Sequence, residues 1–541
     1  MSVSAPVSGT RPLYIIGTTS AREVSPEEVG GKAFNLMLMS EAGLSVPRGF
    51  VLGTATCRDF HEADEHLGAD LVAHVVRGIR EIEGSTGLRF GAGRRPLLFS
   101  ARSGAAVSMP GMLETILNVG LSDATLPGLL RATGDPVFVW DSYRRLVQAY
   151  AEVVNGCPAA PFAAVLNDAM VRHGVPTAGE LDVAALRAVV RGQQDVYRSM
   201  VGRPFPQDPM EQLLGAVAAV FRSWNSVRAV EYRTLQGLTD LIGTSVTLQA
   251  MVFGNMGVAS GSGVGFTRDP TTGENRVYVD FILNAQGEDI VAGRHAVAEA
   301  EASIATLPGL AHELQSVRRK LEGLFRDVQD FEFTVEEGKL WMLQTRTAKR
   351  TAWAALRIAC DLVDEGLIDT ATAVKRLRSY ELGSIARVRL ADESGAEVLG
   401  RGTPASEGVA SGRMALGIDA AQRLARDGGP VVLVRDEAST EDIAGFAVCR
   451  GVVTATGART SHAAVVARQL GLACVVGCRD LSFDVDHRKV RLGQAELHEG
   501  GWITVDGATG LLYRGEPEVR VERPDEMIER VRAWQTGLGL P

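Results

Sequence analysis

The sequence predicts a multidomain α/β protein, and three observations carry that expectation. At 541 residues the chain exceeds the size at which a single hydrophobic core stops growing. An apolar fraction of 45% and a charged fraction of 22% are those of an ordinary globular chain. Short β-branched runs, such as Val431 to Val434 and Gly451 to Thr454, alternate with glycine turns and amphipathic helical runs.

Composition excludes several classes of function. A formal charge of −9, with the basic residues dispersed, argues against a general nucleic-acid binder. No apolar stretch is long enough to cross a bilayer, and Met1 to Thr10 lacks a charged start followed by an apolar core, so no membrane association and a cytoplasmic location are expected. The six scattered cysteines read as reduced thiols. Cys474 and Cys478 stand close together, but no second Cys/His pair has finger-like spacing and both lie in an apolar β-like run, so they read as buried thiols. Fixed-period repeats are absent.

From about Tyr14 to about Arg346 strands and helices are mixed, and this part holds groups suited to phosphate. Gly30-Gly31-Lys32 opens a helical run ending near Gly43; the glycines permit close backbone approach and the lysine can reach an anion. Arg102 ends the apolar strand Pro96 to Phe99 and precedes a small-residue loop running to Met112; a guanidinium fork matches phosphate oxygens. Arg144 and Arg145 sit on the next helix, either as phosphate contacts or as a helix-surface ion pair. Thr247 to Val252 alternates into a strand, and Gly261 to Pro270 turns and returns. Glu332 alternates with Phe331 and Phe333, and Gln344 and Arg346 follow on the strand after the turn Glu337-Gly338-Lys339; the hairpin is expected to set Glu332, Gln344 and Arg346 on one face. Asp280, Glu288 and Glu332 are the candidate carboxylates for Mg²⁺, which takes one or two carboxylates and leaves its other positions to water and phosphate oxygen.

Beyond Arg346, Thr351 to Leu367 and Thr370 to Leu377 have helical spacing and form an expected connector. From Glu397 to Arg514 short strands surround one helix and predict a compact α/β domain, and Pro524 to Gly537 predicts a short terminal helix. In the compact domain, Gly457-Ala458-Arg459-Thr460-Ser461-His462 leads from a glycine turn into an Ala/Val-rich helix ended by Gly471. His462 falls in the first turn, where the helix dipole and unpaired N–H groups favour a neutral imidazole and stabilise a phosphate attached to it.

Thr460-Ser461-His462 followed by Ala463-Ala464-Val465-Val466-Ala467-Arg468 resembles the phosphohistidine segment of the phosphoenolpyruvate-utilising enzymes, and the resemblance to the pyruvate phosphate dikinase family extends over almost the whole chain. The resemblance implies an ATP-grasp nucleotide-binding domain at residues 1–346, a helical linker at 347–396, a swivelling phosphohistidine domain at 397–515 and a tail at 516–541. It implies that Lys32 and Arg102 contact ATP phosphates, that Gln249, Met251 and Val252 line the adenine pocket, and that Gln344 and Arg346 belong to the catalytic face. Glu332 and Glu288 match metal-binding positions, and Asp280 replaces a usual glutamate. His462 would carry phosphate, with Lys32, Arg102 and Arg346 neutralising charge; Thr460 would orient the imidazole or receive regulatory phosphate. Ala458 stands where the family usually has a second glycine. The family's β/α barrel, which binds pyruvate or phosphoenolpyruvate, has no room after Arg514, since such a barrel takes roughly 250 residues. The resemblance therefore implies ATP and inorganic phosphate as partners. It leaves three readings: a separate barrel subunit that presents pyruvate, a small-molecule acceptor as in the rifampin phosphotransferases, or a non-catalytic nucleotide-binding regulator.

Overall fold

The computed structural model describes residues 12–107, 109, 112–287, 289, 297–392, 396–437, 443–457, 461–484 and 488–539. The mixed α/β class holds: helices and several sheets alternate along the chain, which divides into two compact units.

The first unit runs to Gly257 and includes Trp341–Gln344. Its five-stranded sheet has the order Tyr14–Ile16, Gly49–Leu52, Ser245–Ala250, Phe99–Gly104, Thr115–Val119, with antiparallel neighbours throughout. Ser245–Ala250 lies at its centre and is buried at every residue. Amphipathic helices cover the sheet. In Pro136–Asn155 the Asp135 side chain accepts from the Phe138 N–H at 3.0 Å, a proline opens the first turn, and Gly156 ends the helix in the left-handed region. Phe138, Leu146 and Tyr150 of this helix meet Phe99, Leu213 and Leu248 in one core.

The second unit comprises Val258–Leu340 and Thr345–Pro541. Its first sheet has the order Lys339–Thr347, Gln329–Glu336, Gly261–Phe266, Tyr278–Leu283. The alternating glycines of Gly261-Ser262-Gly263-Val264-Gly265 have a packing cause. A Cβ on Gly263 would fall 2.2 Å from the Phe333 ring, and one on Gly265 would fall 2.5 Å from that of Phe331. Phe333 stacks in turn on Phe281, with ring centroids 5.8 Å apart. One face is thus aromatic with a glycine floor, and the other carries Asp280, Asp330, Glu332 and Thr334 among Val264, Phe266 and Tyr278.

The connector follows. Thr351 is tied to the turn that follows Gly261–Phe266, its N–H donating to Pro270 and its hydroxyl to Thr271, and Arg350 forks onto Asp327 at 2.7 and 2.9 Å. The helices Ala352–Asp364 and Thr370–Leu377 share a core with the terminal helix Asp525–Gly537, which buries Ile528 and Val531 there. The segment expected as a tail therefore completes the connector. Arg387–Leu390 pairs antiparallel with Val519–Glu522, so the chain enters and leaves the next domain side by side.

That domain has an eight-stranded sheet ordered Val398–Arg401, Leu511–Arg514, Trp502–Asp506, Val409–Ala415, Val431–Arg435, Gly451–Thr454, Ala473–Val476, Thr403–Ser406, parallel through the three pairings that join Val409–Ala415 to Ala473–Val476. Strand alternation divides its core. Val431 and Leu433 face Ala463, Ala464 and Ala467 of the helix layer, whereas Val432 and Val434 face Leu481, Val490 and Leu492 of a small three-stranded sheet. Cys474 and Cys478 are buried, and burial pushes both thiols up to about 12, which fits packing groups. Among the described residues no helix is long and apolar enough to cross a membrane.

Candidate functional site

In the first unit, the glycine pair before Lys32 is required by geometry. Gly30 has φ +79°, and a Cβ there would lie 2.1 Å from the carbonyl oxygen of Gly104. Gly31 donates to the Ala105 carbonyl at 2.9 Å and starts the helix Gly31–Glu41. The helix N-terminus and half-buried Lys32 are thereby set beside the end of the strand that carries Arg102. Arg102 is half-buried and donates to the Leu343 carbonyl at 3.0 Å. On the next strand Gln249 is buried, with its amide donating to Pro47 at 3.0 Å, and the Met251 N–H donates to Leu98. Gln249 thus braces the strand through its side chain; Met251 and Val252 follow the strand's end. Arg144 and Arg145 are no surface pair: both guanidinium Nε groups converge on buried Asp141 at 2.8 Å. Burial opposes ionisation of Asp141, but the two arginines outweigh it and hold the carboxyl below its usual range.

In the second unit the hairpin register assembles the acidic face. Val264 pairs with Glu332 on one side and Asp280 on the other, so both carboxylates project from the face opposite the phenylalanine stack. The Tyr278 hydroxyl donates to Asp280 at 3.1 Å, and Ser262 and Thr334 share a hydrogen bond on the same face. Arg346 projects to this face and donates to Asp330 at 2.8 Å. Gln344, two residues earlier on the strand, shares Arg346's side by alternation. Asp330 escaped the sequence reading, although its signal was present: it stands two residues before Glu332, in phase with it and out of phase with Phe331. Burial pushes the Asp330 carboxyl up, against the pull of Arg346. Glu288 lies outside the described residues. Asp280 and Glu332 supply hard oxygen donors from one sheet face, a donor set that fits Mg²⁺.

In the eight-stranded domain, the helix His462–Leu470 begins where the sequence places it, with Ser461 at the N-cap and Gly471 left-handed at φ +68°. Gly457 has φ +116°, and a Cβ there would approach the Ser461 Oγ to 3.2 Å, so this turn needs glycine at 457. Ser461 is buried, and its Oγ has no hydrogen-bond partner among the described residues. Ala458 and Thr460 lie outside the described residues.

A phosphate-suited helix start, a carboxylate-bearing sheet and a separate domain opening a helix on histidine are groups suited to holding and transferring phosphate. Residues 64–309 match the pyruvate phosphate dikinase AMP/ATP-binding domain, and residues 428–510 match the mobile domain of PEP-utilising enzymes. The chain is 41% identical over 509 residues to pyruvate, phosphate dikinase of Clostridium symbiosum, covering 94% of this chain and 58% of that protein. It is 42% identical over 519 residues to the Rhizobium meliloti (strain 1021) enzyme of that name, covering 93% and 58%. Against pyruvate, phosphate dikinase 1, chloroplastic, of Oryza sativa subsp. japonica, identity is 41% over 538 residues, covering 98% and 57%. The chain is similar to pyruvate, phosphate dikinases and spans somewhat over half the length of these relatives.

Proposed function

We propose that this chain loads a phosphoryl group from ATP onto His462 for transfer to an acceptor. The observation that carries the reading is the position of His462 at the start of a nine-residue helix, in the domain that matches the PEP-utilising mobile domain. The neutral imidazole attacks the β-phosphorus, forming a nitrogen–phosphorus bond as the bond to the α-phosphate oxygen breaks, and AMP leaves. Inorganic phosphate then takes the outer phosphoryl group, leaving phosphohistidine and pyrophosphate. Lys32, Arg102 and Arg346 neutralise charge as it moves, which is where electrostatic catalysis of phosphoryl transfer acts. Gln249, Met251 and Val252 belong to the strand that walls the adenine pocket, Gln344 supports the phosphates, and Thr460 orients the imidazole. Glu332, with Asp280 and Glu288, would hold Mg²⁺, which when bound screens phosphate charge. The acceptor is pyruvate on a separate barrel subunit. Swivelling between donor and acceptor is supported by the paired strands Arg387–Leu390 and Val519–Glu522, which hold entry and exit of the domain together.

The test is incubation with Mg²⁺ and β- or γ-labelled ATP, with and without inorganic phosphate. Acid-labile label on the wild type but not on His462→Ala, with AMP release, is expected. An absence of label under every condition refutes catalysis. Turnover of a small acceptor without a barrel protein refutes the pyruvate assignment and selects the small-molecule kinase reading.

A further inference from the structure

The helix that opens on His462 carries a buried cation six residues further on. Arg468 is 2% exposed, and its guanidinium donates to the Ala405 carbonyl at 2.8 Å, anchoring one side of the group within its own domain. The guanidinium carbon stands 5.6 Å from the ring centroid of Phe266. Phe266 belongs to the four-stranded sheet that bears Glu332, the nucleotide-side sheet of the proposed reaction, and is itself buried, against Tyr278 and connector residues Ile358 and Leu362. In the hairpin register it sits directly opposite Asp330, the carboxylate that holds Arg346. A guanidinium within about 6 Å of a ring is attracted by the ring's quadrupole, more strongly when both are out of water. Satisfying the Ala405 carbonyl would not by itself require an aromatic partner from another sheet.

We propose that Arg468 is a positioning residue, which by docking on Phe266 beside the Asp330–Arg346 pair registers the His462 helix on the nucleotide-side sheet during phosphoryl loading. The inference rests on the reading of His462 as phosphoryl acceptor. Six residues of helix put the docking point about 9 Å along the axis from His462. Slippage at Arg468 is thus carried to the histidine by a short rigid lever.

The test compares wild type with Arg468→Lys, Arg468→Met, Phe266→Leu and the Arg468→Met/Phe266→Leu double variant, in the full chain. At saturating Mg·ATP the labelling rate of His462 should fall about tenfold in Arg468→Met, within the range a desolvated cation–π contact spans. The KM for ATP should stay within about twofold, because docking and not nucleotide binding is lost. Arg468→Lys, which keeps the charge, should recover part of the rate, and Phe266→Leu should add little in the Arg468→Met background. Labelling of Arg468→Met at the wild-type rate, or independent multiplication of the two single effects, would overturn the proposal. If Arg468→Met does not fold, the rates of Arg468→Lys and Phe266→Leu against wild type carry the same test. If the wild type takes no label, the functional reading has failed. The docking contact is then judged by denaturation midpoints: less-than-additive shifts for Arg468→Met and Phe266→Leu support it, and additive shifts overturn it.

Discussion

Arg268→Met removes the most deeply buried charge of the second unit and keeps most of its aliphatic stem. Arg268 is 0% exposed and forks onto Glu322 at 3.0 and 2.9 Å, with a further bond to Glu365 at 2.6 Å. Glu322 is 4% exposed, so without Arg268 its carboxylate stays buried, with the nearest remaining ion-pair partner, Arg318, at 3.8 Å. The Glu365 side chain is 35% exposed and is rescued by water, so its loss counts for little. The expected cost is that of breaking a buried pair from one side, about 3–5 kcal/mol. Adding Glu322→Leu removes the stranded charge and should recover more than half of that loss, because well-packed apolar replacements of buried pairs are often neutral. The assay is urea denaturation followed by hydrogen exchange at Gly261–Phe266 and Leu310–Phe325, which reports the second unit separately from the first. A cost below about 1 kcal/mol for Arg268→Met, or a double variant as unstable as the single, would refute the reasoning.

Four further outcomes are expected. Gly263→Ala places a methyl 2.2 Å from the Phe333 ring, which the stacked Phe281 keeps from retreating; it should cost about 1–3 kcal/mol and weaken near-UV circular dichroism. Asp141→Asn should destabilise the first unit at neutral pH. Because the folded-state pKa of Asp141 is depressed, its contribution is present above the ordinary carboxylate range and is lost as pH falls through the lowered value, so wild type and variant should converge in strong acid when melts are compared across pH. Alkylation of the native protein at pH 8 should modify Cys157 first, the one half-exposed thiol among six, with Cys474 and Cys478 reacting only after unfolding, as peptide mapping would show. Glu332→Gln should raise the Mg²⁺ concentration needed for half-maximal labelling of His462, since it removes one of the carboxylate oxygens that the hairpin register sets on the sheet face with Asp280, and a Mg²⁺ titration of variant against wild type checks it.

Local signals made much of this readable in the sequence. The His462 helix, with its serine cap and terminal glycine, appears where those residues put it, as do the connector helices around Thr351 and Thr370. Alternation placed Glu332 opposite its phenylalanines. What escaped depends on contacts between segments distant in the chain. Arg144 and Arg145 read either as phosphate contacts or as a surface ion pair, because the burial of their partner Asp141 comes from packing around its helix. Asp330 was missed because its partner Arg346 lies on the next strand and only the register joins them. The alternating glycines read as a turn and a return strand, whereas their cause is the rings of Phe331, Phe333 and Phe281. The terminal helix looked like a tail because its apolar positions gain meaning only beside Leu356 and Leu377.

The paired strands Arg387–Leu390 and Val519–Glu522 make the histidine-bearing domain an insertion. Leu390 and Val519 are register partners, so the 128 residues between them leave and return through one doorway. The connector is the host: its core is closed by a helix that the ribosome makes only after the whole insertion has emerged. A short turn joining Leu390 to Val519 should leave the host foldable, and the excised segment should fold alone on its own two core layers. By the same topology, cutting the chain before Pro524 would injure the connector, although the residues removed follow the histidine-bearing domain in sequence.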